Sequence, residues 1–192
     1  MLIFRLSQEL EAQEQEEWKN LEMQNLGNEV HPDRALSYCL AREALRSCLR
    51  ASGLEVKIAE LQLIDYNRIK VTDSFTLSLS HTKKWGAAVT APAGSYLGLG
   101  IDIELKSREI KSAVLNRIRH VNDHDLPPLQ AWCLKEAIFK TLMNAQKIHH
   151  PVEFSSIQIN EQGWVHLDSD SSGDYQMVTH PELEIALSWI KI

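Results

Sequence analysis

Residues 97–106 read LGLGIDIELK, an apolar run that carries two glycines and two carboxylates, Asp102 and Glu104. Its β-branched residues and its position after Gly94 make it a strand. On a strand, residues two apart share a face, so Asp102 and Glu104 project together while Ile101 and Ile103 point the other way. Glycines thin the side-chain cover of a strand and mark close approach of a ligand or of another backbone. Two neighbouring carboxylates repel each other unless a cation or a proton holds them. Oxygen-only donors of this kind suit Mg²⁺. Taken alone, a D-x-E strand is more often a solvated edge than a site, because short motifs match by chance.

Working outward, "MLIFRL" reads as an opening strand, and "SQELEAQEQEEWKNLEM" as a helix with Ser7 as its N-cap, followed by the polar loop "NLGNEVHP". "DRALSYCLAREALRSCLRASG" sets Ala41, Ala44, Leu45, Cys48 and Leu49 at helical spacing, with Asp33 to cap it and Gly53 to end it. "LQLID" and "FTLSLSHT" are strands; in the second, Phe75, Leu77 and Leu79 alternate with Thr76, Ser78 and Ser80, and "WGAAVTAP" forms its hairpin partner. Beyond the D-x-E strand, Ile110, Val114, Leu115 and Ile118 have near-helical spacing. Pro127 and Pro128 suit the start of the helix "LQAWCLKEAIFKTLMNAQK". "FSSIQIN", "GWVHLD", "YQMVTH" and "EIALSWIKI" read as short antiparallel strands.

The order strand, helices, strands thus occurs twice. It predicts an α+β fold of two similar lobes, residues 1–94 and 95–192, each a small antiparallel sheet packed on a helix, with a ligand cleft between them.

Composition narrows the function. The 192 residues carry a net charge of −6, which argues against non-specific nucleic-acid binding. The three cysteines, Cys39, Cys48 and Cys133, form no C-x-x-C pair and read as core residues rather than as a disulfide or zinc framework. No apolar run approaches the roughly 18 residues of a membrane span, and the N-terminal segment turns acidic before a signal-peptide core could form. The expectation is a cytoplasmic monomer without a membrane partner. Within this acidic chain, Lys106, Arg108, Lys111, Arg117 and Arg119 stand against Glu109 alone as a local basic stripe.

Two further motifs bear on chemistry. In "WCLKEAIFK", residues 132–140, Glu136 and Lys140 lie one turn apart beside Lys135. Such a pair is commonly a surface salt bridge, but Trp132, Leu134, Ile138 and Phe139 leave this helix few solvent-facing positions. Ser80 and His81 close the strand "FTLSLSHT". Adjacent strand residues point to opposite faces, which disfavours a serine-hydrolase pair and leaves a phosphate or ligand contact. His149 and His150 read as solvated loop residues.

Together, "LSLSHTKKWGAAV", "GIDIE" and "WCLKEAIFK" resemble, in order, the Ser-His strand, the G-[IV]-D-x-E strand and the W-x-x-K-E-x-x-x-K helix of the 4′-phosphopantetheinyl transferases of the surfactin-synthetase type. The resemblance spans residues 75–140. It implies transfer of the phosphopantetheine arm of coenzyme A to a serine of an acyl or peptidyl carrier protein, with release of 3′,5′-ADP, on a pseudo-dimer of two lobes. By similarity, Asp102, Glu104 and Glu136 would hold Mg²⁺ on the pyrophosphate, Glu136 would act as base, and Lys135 and Lys140 would contact phosphates. Ser80, His81 and Arg34 would contact the nucleotide, Arg42 competing with Arg34 if the register shifts. The family's Gly-Lys-Pro loop has no counterpart in "YNRIKVTD", where Arg68 and Lys70 are the nearest cations. The basic stripe, with Ile110, Val114 and Ile118, would dock an acidic carrier. Two other classes share these features: a different Mg²⁺-dependent phosphoryl or nucleotidyl enzyme, and a non-catalytic relative that binds a carrier or nucleotide.

Overall fold

A computed structural model describes residues 1–10, 16–18, 20, 32–61, 63–65, 68–69, 74–145 and 152–192. The architecture is mixed α+β with antiparallel sheets. The chain divides into two compact units, Met1–Ala93 and Gly94–Ile192. No helix among the described residues is long and apolar enough to cross a membrane.

In the first unit, β1 (Ile3–Ser7) leads to the helix α1 (Pro32–Ala51), the short strands β2 (Leu63–Asp65) and β3 (Arg68–Ile69), and the hairpin β4 (Phe75–Thr82) and β5 (Trp85–Pro92). β5 lies between β1 and β4, antiparallel to both. The helix stops because Gly53 adopts φ +82°, a conformation that costs a residue with a Cβ. Its N–H then donates to Arg50 O at 2.9 Å and the next N–H, of Leu54, to Leu49 O at 2.9 Å, which closes the helix end. Ala44, Leu45, Cys48 and Leu49 pack with Ile3, Leu77 and Ala88 into the core of this unit. The chain comes so close at the crossing that a Cβ on Gly86 would collide with the backbone of Leu40 and Ala41.

The second unit starts with β6 (Tyr96–Leu105), continues through α2 (Ser112–Ile118) and the long helix α3 (Pro128–Asn144), and ends in β7 (Ile157–Asn160), β8 (Gly163–His166), β9 (Ser171–Thr179) and β10 (Leu183–Lys191). Its sheet has the order β6-β10-β9-β8-β7. As in the first unit, the first strand pairs with the last, and the last with the one before it. Cys133, Leu134, Ala137, Ile138 and Leu142 of α3 pack on Ile157, Ile159, Trp164, Ala186 and Ile190. Cys39, Cys48 and Cys133 are buried, and none of them forms a disulfide among the described residues.

Several local expectations change. Ser7 ends β1, and its hydroxyl donates to Glu9 O at 3.0 Å instead of capping a helix. Residues 16–18 and 20 are helical, while most of the acidic helix read from the sequence lies outside the described residues, as do the loop "NLGNEVH", Lys70, His149, His150 and the Asp33 side chain. Ser78 and Ser80 on the polar face of β4 are buried, so this strand is covered on both sides. The stripe after β6 forms only seven helical residues, with Ile118 buried, so Ile118 is not available as a docking contact.

Candidate functional site

The glycines of "LGLGIDIEL" meet a helix. A Cβ on Gly98 would strike Thr141 O, and one on Gly100 would strike Ala137 O. Of the two neighbours that such glycines allow, a ligand or another backbone, the one present at Gly98 and Gly100 is the α3 backbone. The crossing also answers why carboxylates follow in an apolar strand. Positions 98, 100, 102 and 104 share one face. At 98 and 100 strand and helix touch with no side chain between them, and at 102 and 104 the same face carries side chains that reach α3.

Asp102 is 6% exposed. Its Oδ1 accepts a hydrogen bond from Lys140 Nζ at 2.8 Å, and Lys140 also donates to Ile101 O at 2.9 Å. Cys133 Sγ donates to the Asp102 carbonyl at 3.2 Å, and burial pushes this thiol's pKa well up, so it is a packed proton-bearing group and not a nucleophile. Glu104 Oε1 is held twice, by the Arg108 guanidinium and by Trp132 Nε1 at 3.3 Å. Arg108 lies over the Trp132 ring, 5.0 Å from its centroid.

Glu136 is half-buried on α3. Its pKa is raised, first by burial and then by the negative charge of Asp102, while Lys140 and Arg108 act in the opposite sense. Asp102, Glu136, Lys140 and Arg108 therefore share one electrostatic neighbourhood. A carboxyl that holds its proton more tightly than usual is suited to accept one from a hydroxyl.

Lys135, expected at phosphate, is placed elsewhere. Its side chain is 0% exposed and donates to Asp123 Oδ2 at 2.7 Å, Phe154 O at 3.0 Å and Ile157 O at 2.7 Å. Three acceptors satisfy all three ammonium protons. Burial lowers its pKa, and Asp123 opposes that shift. Asp123 also accepts from the backbone N–H groups of His120 at 2.8 Å and Ile159 at 2.9 Å. Lys135 is thus a buried tie between α3, the loop before it and the start of β7. The expectation fails because Lys135 and Glu136, adjacent on a helix, point in different directions.

In the first unit, Ser80 is buried and His81 exposed at the end of β4, on opposite faces as the strand period requires. Arg34 is exposed in the first turn of α1. Arg42 is buried, stacked 3.2 Å from the centroid of the Tyr38 ring, and burial lowers its pKa to about 10 against the opposing effect of Tyr38. The Arg68 side chain lies outside the described residues.

Among the described residues no group of three or more His, Cys, Asp or Glu is placed to hold a metal ion as the side chains stand. The donor chemistry nevertheless fits a hard cation. Asp102, Glu104 and Glu136 offer carboxylate oxygens only, and the repulsion between Asp102 and Glu136 is of the kind a divalent ion relieves. Arg108 was legible only as part of a basic stripe, and Asp123 carried no sequence signal. No protein-family model matches the chain, and no curated protein matches it.

Proposed function

We propose that the protein is a Mg²⁺-dependent 4′-phosphopantetheinyl transferase that moves the arm of coenzyme A to a carrier-protein serine. The observation that carries this reading is the meeting of Asp102, Glu136 and Lys140 just beyond the glycine crossing of β6 and α3. The resemblance of residues 75–140 supplies the reaction class. In the step itself the serine Oγ attacks the β-phosphorus, a new P–O bond forms, the bond to 3′,5′-ADP breaks, and the serine proton passes to Glu136.

Asp102, Glu104 and Glu136 would hold the ion, which when bound stabilises charge on the phosphate oxygens. Lys140, partly exposed beside Asp102, is positioned by the Ile101 carbonyl and adds a positive charge at the same place. Lys135 drops out of the phosphate contacts. Ser80, His81 and Arg34 remain the nucleotide contacts, in a two-lobed pseudo-dimer with coenzyme A in the cleft. Carrier docking narrows to Lys111 and Arg117, the exposed stripe residues whose side chains make no hydrogen bond or ion pair among the described residues; Arg108 turns to Glu104, Lys106 donates to His180 O at 2.6 Å and Arg119 to Leu126 O at 2.5 Å.

The test is intact-mass measurement of an apo-carrier after incubation with the protein, Mg²⁺ and coenzyme A. A phosphopantetheine-sized gain that Asp102→Ala abolishes is expected. Absence of the gain across fatty-acid, polyketide and peptide carriers overturns the reading; cleavage of another phosphoester would then point to a different phosphoryl enzyme, and coenzyme A binding without turnover to a non-catalytic relative.

A further inference from the structure

We propose that Arg108 is a built-in counter-cation that competes with a divalent metal ion for the carboxylate of Glu104, so that loading of the site requires its displacement. The inference rests on the reading of Asp102, Glu104 and Glu136 as the metal-holding set. Just past β6 the Arg108 N–H donates to Leu105 O at 2.8 Å, which turns the chain back and brings the guanidinium to Glu104. There the cation is fixed from two sides, by the carboxylate and by the Trp132 ring. The same Glu104 oxygen also takes the Trp132 N–H.

The two cations of the cluster are not equivalent. Lys140 is anchored twice, to Asp102 and to a backbone carbonyl, and its side chain is 27% exposed. Arg108 is 43% exposed while Glu104 is only 13% exposed, so Arg108 is the partner that can swing into water. Its charge also reaches Glu136. A hard cation entering between the strand and helix carboxylates meets this guanidinium already on Glu104 and competes with it for the same negative charge.

Calorimetric titration with Mn²⁺, in the absence of coenzyme A, tests the competition on the full chain. Arg108→Ala should bind Mn²⁺ roughly tenfold more tightly than the unmodified protein, the joint size of an exposed ion pair and a cation–π contact. Arg108→Lys should fall between them, because an ammonium keeps the charge and loses the fork and the stack. Lys106→Ala removes a charge two residues away that points to His180 O, and should change the affinity by less than about twofold. In a Glu104→Gln background Arg108→Ala should likewise have less than about a twofold effect.

Unchanged or weaker binding by Arg108→Ala overturns the competition, as does equal tightening by Lys106→Ala or a full effect that persists in Glu104→Gln. Metal binding and carrier modification by the unmodified protein, with no change in Arg108→Ala, would overturn the competition alone. Failure of every variant to bind Mn²⁺ would overturn both the competition and the metal-dependent reaction.

Discussion

The two long helices solve the same packing problem and handle charge differently. α1 crosses its sheet at Gly86 and α3 crosses at Gly98 and Gly100, and in each case the backbones touch where a side chain is missing. On α1, Arg42 stacks on Tyr38 and Arg46 bonds Glu43 at 3.4 Å, contacts made within one helix. Those on α3 reach outward, Lys140 to a strand and Lys135 to a loop. The contacts of α3 tie other elements of its unit to the helix and set Lys140 against the buried Asp102 carboxylate.

The largest effects should come from the feature the helices share. Gly86→Val and Gly100→Val should each cost about 4 kcal/mol or more, since the new side chain meets backbone that can yield only by moving a helix. Denaturant unfolding of both variants checks this, and a loss at only one of them would break the parallel between the units.

Next, Lys135→Met should cost about 3 kcal/mol by removing one partner of a buried pair while nearly keeping the volume. A stability close to that of the unmodified protein would show that Asp123 is held well enough by His120 and Ile159, and that the outward reach of α3 matters less than the geometry indicates.

A smaller effect of opposite sign is expected at Glu136. Its folded-state pKa lies above the unfolded value of 4.5, so ionising it opposes folding. Below the unfolded value the carboxyl carries its proton in both states and the penalty is absent; as pH rises through the raised folded value, the penalty is fully imposed. Glu136→Gln should therefore raise the melting temperature at pH 7, with the gain shrinking toward pH 4. A pH-independent difference, or a loss at pH 7, would remove Glu136 from the strained set and leave α3 more like α1.

The smallest change should be at the pair between Arg50, in the last turn of α1, and the exposed Glu55 beyond it, where Glu55→Ala should alter stability by less than about 0.5 kcal/mol. A larger loss would mean that α1 also depends on charges beyond its own turns.

Periodicity together with turn and cap residues located the main strands and the two long helices, because burial of one face imposes a period of 2 or 3.6 on the residues themselves. Gly53 ended α1 as expected, since its conformation is a local property. The two residues of β3 were not legible, being too few to show a period. The sequence also proposed Asp102, Glu104, Glu136 and Lys140 as companions. The fold brings Lys140 to Asp102 in a hydrogen bond, and Glu136 within reach of both charges.

Other features were decided by tertiary structure. The glycines before Asp102 signalled close approach in either reading, but a glycine records only that something comes near, and the fold shows it to be α3. Lys135 and Glu136 are neighbours in sequence with opposite fates, because direction around a helix depends on what packs against each side. Arg108 and Asp123 became visible as partners only in three dimensions, since an ion pair leaves no periodic trace in the chain. Sequence by itself determined which segments are strand or helix and which residue types could do the chemistry. Tertiary structure decided which of those charges answer one another, because electrostatic pairing depends on distances that the chain acquires only by folding.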